Sequence, residues 1–75
     1  MFSPFQIGMT QIKNGKGLLI GFLKDTAIQI RAFDANGVFI GRFDKKQNRT
    51  YDKRGVLYSD TDSTIALIHS SSMTN

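Results

Sequence analysis

Seventy-five residues carry ten Lys or Arg, six acids that are all Asp, one His and no Cys. A chain of this length makes one small domain that buries only about 60% of its unfolded surface. Disulfides and cysteine metal sites are excluded, so the extra stabilisation such domains need must come from association between copies. The net charge of +4 favours nucleic acid, nucleotides or acidic protein surfaces as partners, and Asp without Glu suits turns better than helix interiors.

The chain opens with MFSPFQIGM, which has neither the basic start nor the continuous apolar stretch of a secretion signal. Residues 1–8 are expected to form an N-terminal arm, with Phe2, Pro4 and Phe5 tucked against the sheet or a neighbour. The longest apolar run, residues 18–23 with Gly21 inside it, is too short to span a bilayer. Without cysteines nothing points to an oxidising compartment, and the cytoplasm is the expected location.

One phrase then recurs. NGKGLLIG (residues 14–21), DANGVFIG (34–41) and DKRGVLYS (52–59) share an Asp or Asn, a Gly three positions on, three apolar residues and a small one, at spacings of 20 and 18 residues. An Asx side chain can accept bonds from the backbone just ahead of it, and Gly supplies the left-handed conformation that closes a type I turn with a bulge. Each copy is therefore a hairpin tip, and the spacing is that of a strand, a turn, a strand and a turn.

Between the tips, residues 26–33 alternate Ile28 and Ile30 on one face with Gln29 and Arg31 on the other, as in a half-buried strand. Strands are expected at residues 16–23, 26–33, 38–43, 49–51 and 56–58, with turns at 24–25, 34–37, 44–48 and 52–55. In residues 62–69, Asp62 or Ser63 could cap a short helix, or Ile65, Leu67 and His69 could line a last strand; the strand is favoured. Residues 70–75 are expected to fray. The fold class is thus all-β, a single domain over residues 1–75 built as a small antiparallel β-meander. Its thin core and open edges require completion by symmetric homo-oligomerisation, as a dimer or tetramer.

At FDANGVFIGRFD (residues 33–44) and TYDKRGVLYSD (50–60) the chain resembles four-fold β-flower domains, small bacterial and phage proteins built from aromatic-Asp-x-x-Gly hairpins. The likeness covers about residues 32–62. It implies a β-rich assembly of four-fold character and brings no catalytic residues with it.

The densest chemistry lies in RFDKKQNRTYDKR, residues 42–54, where Arg42, Lys45, Lys46, Arg49, Lys53 and Arg54 surround Phe43 and Tyr51. Lys binds phosphate as a point charge and Arg in bidentate fashion, while Tyr51 or Phe43 could stack on a base. The turns at 44–48 and 52–55 fall at opposite ends of a meander, so these cations converge only in a ring of protomers. No reaction chemistry competes with binding. His69 beside Ser70, Ser71 and Ser72 lacks rigid support in an expected tail, and Asp60 with Asp62 makes too few ligands for calcium. The expected function is therefore non-enzymatic and free of cofactors. A small oligomer binds an anionic nucleotide or nucleic acid, as in a phage-type nucleotide-capturing protein. The alternative is a protein–protein interaction module or inhibitor that meets its partner through Phe2, Phe5, Phe39 and Tyr58.

Overall fold

The computed structural model describes residues 9–73. The elements are β1 (Met9–Lys13), β2 (Leu19–Asp25), β3 (Gln29–Asp34), β4 (Phe39–Asp44), β5 (Arg49–Asp52), β6 (Leu57–Ser59) and α1 (Thr64–Met73). The strands form one six-stranded sheet in chain order, and every neighbouring pair is antiparallel. The meander is thus as expected, with differences at its ends. β1 is an additional strand, and the arm expected over residues 1–8 lies outside the described residues. β3 starts at Gln29, which leaves Ile28 in the preceding turn at 72% exposure.

The three tips are built alike. The side-chain oxygen of Asn14 accepts from the N–H groups of Lys16 and Leu18, that of Asp34 from Asn36 and Val38, and that of Asp52 from Arg54 and Val56. Gly17, Gly37 and Gly55 sit at φ of 80°, 83° and 81°, the region an L side chain enters only at a cost. After each glycine the register shifts by one residue. This bulge sets Ile20 beside Gly21, and Ile40 beside Gly41, on one side of the sheet. Leu19, Phe39 and Leu57 pair with Lys13, Phe33 and Tyr51 on the other.

α1 adds one short helix to the expected all-β meander; it replaces the strand favoured over residues 62–69 and occupies residues 70–73, where a frayed tail was expected. Thr64, Leu67 and Ile68 are buried, at positions i, i+3 and i+4 of a helix, while Ile65 is 51% exposed. The reason lies in the sheet. Ile20, Ala32 and Phe43 line its inner face; another strand would only widen the sheet, whereas a helix covers that face and buries Ile68 against Ile20 and Ala32.

The small residue closing each phrase now has a purpose. A Cβ on Gly21 would lie 2.7 Å from Ile68 Cγ2, and one on Gly41 would lie 2.5 Å from Leu67 Cδ1. Gly21 and Gly41 are therefore the seat of the helix. Their counterpart Ser59 anchors its entry instead: the Ser59 hydroxyl donates to the Thr61 carbonyl and shares a hydrogen bond with Ser63 Oγ. Thr50, fully buried, donates to the same Thr61 carbonyl and accepts from the Ser63 N–H. Asp62 accepts from the N–H and hydroxyl of Thr64 at the first turn.

Candidate functional site

With α1 on the inner face, no element among the described residues covers the opposite face of the sheet, and strand alternation decides what this open face carries. By register, Lys24 pairs with Arg31, Arg31 with Arg42, and Arg42 with Tyr51. These residues form one row across β2, β3, β4 and β5. Beside it runs a second row, in which Phe22 pairs with Phe33 and Phe33 with Phe39. Lys13 and Arg49 fall on the same face through their pairing with Leu19 and Asp44. By register the face gathers Lys13, Lys24, Arg31, Arg42 and Arg49 with one acid, Asp44, and Asp60, just past β6, reaches Arg49.

The two rows interlock. The Arg31 guanidinium carbon lies 4.8 Å from the Phe39 ring centroid and 5.6 Å from that of Phe33, and the two rings meet edge to face at 6.0 Å. Arg42 lies 4.7 Å above the Tyr51 ring. Cation–π contact of this kind orients a guanidinium flat on a ring while leaving N–H donors for an anion. Arg42 also reaches Asp44 at 3.4 Å. The Gln47 backbone N–H, with that of Lys46 and the Arg42 guanidinium, outweighs desolvation and holds the Asp44 carboxyl below the usual carboxylate range.

The expected site residues divide among three places. Arg42, Tyr51 and Arg49 belong to the open face, Arg49 with Asp60 at 3.9 Å. Lys45 and Lys46 lie at the end of the sheet opposite the tips. There Lys45 Nζ donates to Asp25 Oδ1 at 2.6 Å and to the Thr26 carbonyl at 2.7 Å, tying the β2–β3 turn to the β4–β5 turn. In this second turn Asn48 has a φ of 58°, and Tyr51 Oη hydrogen-bonds to Gln47 Oε1. Lys53 and Arg54 lie in the third tip, beside a groove of about 350 Å³ that Ile40, Leu67, Ser70 and Ser71 also line.

That groove is a poor seat for phosphate. Asp52 lines it as well, its carboxyl held below the usual range chiefly by the Val56 N–H and then by Arg54. The serines come from the last turns of α1, where the helix dipole is negative. Phe43 is a correction: it is 8% exposed on the inner face, paired with Thr50, and offers no platform to a base. His69 is exposed on α1.

Lys24, Arg31, Phe22 and Phe33 were not singled out from the sequence as site residues, and Phe39 was named there only as a protein contact in the alternative reading. Their signal was present as an alternation, Phe22-x-Lys24 on β2 and Arg31-x-Phe33 on β3, opposite the small or apolar positions Gly21, Leu23 and Ala32. Among the described residues no helix is long and apolar enough to cross a membrane. No group of three or more His or Asp side chains there could hold a metal ion. No protein-family model, curated protein or solved structure matches the chain.

Proposed function

We propose that this protein is a non-enzymatic binding module for a phosphate-bearing ligand, a nucleotide or nucleic acid, held on the open face of its sheet. The observation that carries this reading is the in-register row Lys24, Arg31 and Arg42. Three cations extend on one face from neighbouring strands whose backbones are about 4.8 Å apart, a placement in which like charges disfavour one another and a bound anion is favoured. Two of the three are further oriented by rings. Binding by such a row is electrostatic, so it weakens as salt is added. The test is calorimetry with a nucleoside triphosphate and with polyphosphate at several salt concentrations. Arg42→Gln should weaken binding, Lys53→Gln should leave it unchanged, and the reverse order would move the site to the third tip.

The homo-oligomer belongs to the same proposal. β1 and β6 are the two edges of the sheet, and next to and within β6 the apolar Val56, Leu57 and Tyr58 are 54%, 48% and 45% exposed. A second copy pairing there would cover them, as would a protein partner in the alternative reading. The four-fold character implied by the β-flower likeness is one closed form of such pairing. Light scattering tests it: the parent protein should be a dimer or tetramer, and Leu57→Arg should shift it to monomer. A parent monomer at micromolar concentration sinks the idea.

A further inference from the structure

We infer that the ligand class for the open face is single-stranded nucleic acid, held across the strands with its backbone on the Lys24, Arg31, Arg42 row and its bases over the ring-bearing positions beside that row. This inference rests on the phosphate-binding reading above and narrows it.

Two independent observations point to a single strand. The first is the layout of charge and ring. Lys24, Arg31 and Arg42 lie in one line perpendicular to the strands, with Tyr51 at its end. Phe22, Phe33 and Phe39 lie in a parallel line on the same face. A single strand has the same two-lane form, phosphates along one side and bases along the other. Duplex DNA keeps its base faces stacked inside and offers a sheet phosphates and base edges but no face to stack on, so the rings would go unused. A mononucleotide would fill one of these positions and leave the others idle.

The second observation is the state of the rings. Arg31 lies on Phe33 and Phe39, and Arg42 lies on Tyr51, at 4.7–5.6 Å. Bases stack on guanidinium planes as well as on aromatic rings, so the stacked pairs present π surface however the arginines move. The row from Lys24 to Tyr51 crosses three strand spacings, roughly 14 Å, which suits about two or three bases on a sheet of this kind.

A second copy of the chain is a worse occupant. Laid face to face, it would set Lys24, Arg31 and Arg42 against positive counterparts, with Asp44 beside Arg42 and Asp60 beside Arg49 too few to offset them. The exposed apolar residues suited to self-association lie instead along the β6 edge, at Val56, Leu57 and Tyr58. Edge pairing between copies leaves the open face free for the strand.

The experiment is fluorescence anisotropy with a short labelled oligothymidylate, competed by a duplex of the same length and by polyphosphate of matched charge. The oligothymidylate should bind more tightly than either competitor, with a log–log salt slope of about −2, as three contacts at about 0.7 each predict. Arg42→Gln should flatten that slope by about 0.7. Phe39→Leu keeps apolar volume and removes a ring; it should weaken binding at least about fivefold with the slope unchanged. Tyr51→Leu repeats this ring test at the other end of the row, and circular dichroism checks that each variant keeps the parent fold. Equal affinity for polyphosphate or duplex overturns the single-strand inference and leaves phosphate binding standing. Failure to bind any of the three overturns both, and loss of slope without loss on ring removal assigns the face to phosphate alone.

Discussion

Replacing Gly41 with Ala tests the seat of α1 on the sheet, because two effects of opposite sign meet at that residue. Gly inside a strand is less stable than Ala by about 0.5–1 kcal/mol on conformational grounds alone. Against this, a Cβ at Gly41 would lie 2.5 Å from Leu67 Cδ1 and 2.6 Å from the Tyr51 carbonyl oxygen. The second neighbour is backbone and cannot rotate away. Overpacking of a well-filled site costs about 1–3 kcal/mol, so the clash wins and a net loss of about 1–2 kcal/mol is expected. For a domain this small that lowers Tm by roughly 4–8 °C per kcal/mol. Urea unfolding followed by far-ultraviolet circular dichroism, at one protein concentration because association contributes, gives the midpoint and slope. Leu67→Ala alone should cost about 2–5 kcal/mol. Since it removes one of the two clashes, the double variant should be more stable than the sum of the single effects predicts by about 1 kcal/mol. A Gly41→Ala protein as stable as the parent, or a strictly additive cycle, refutes the glycine seat.

Within the first tip, Gly17→Ala should cost about 1–2 kcal/mol because its φ is 80°. Gly15→Ala, with nothing within 4 Å of its Cβ position, should be near neutral; thermal melts of the pair compare them. Thr50→Val keeps the shape but strands the Ser63 N–H and leaves the Thr61 carbonyl with the Ser59 hydroxyl as its donor, a loss of about 1–3 kcal/mol. Hydrogen exchange should show faster opening at the start of α1 than in β2–β4. Asp44 and Asp52 have folded-state pKa values below the ordinary value of about 3.9. Their contribution is therefore complete above that pH and is lost as pH falls through the lower folded-state values. Asp52→Asn keeps the tip acceptor without the charge, as Asn14 does in the first tip, and should flatten the acid limb of a stability-against-pH curve; an unchanged limb contradicts this.

The tips were legible because an Asx acceptor and a left-handed Gly settle a turn within four residues, whatever surrounds them. The purpose of the last position of the phrase was not, since nothing local tells Gly21 or Gly41 that a helix will lie over it. Residues 62–69 satisfied two periodicities at once, Ile65, Leu67 and His69 for a strand and Thr64, Leu67 and Ile68 for a helix. The choice belongs to the uncovered face of Ile20, Ala32 and Phe43, a tertiary fact. β1 escaped notice because MTQIK has only Met9 and Ile12 as apolar positions and takes its register from β2. The open face was obscured for a related reason. Its charge was sought along one contiguous stretch, residues 42–54, whereas a sheet assembles every second residue of several strands, bringing Lys24 and Arg31 beside Arg42 and sending Lys53 and Arg54 to one end.

The most direct test of the open face is a two-dimensional ¹H–¹⁵N spectrum of the labelled protein, titrated with a short oligothymidylate at low salt. Shifts confined to Lys24, Arg31, Phe33, Phe39, Arg42 and Tyr51, fading as salt is raised, are the predicted result. Shifts centred on Lys53, Arg54 and the last turns of α1, or none on β2 to β5, would contradict it.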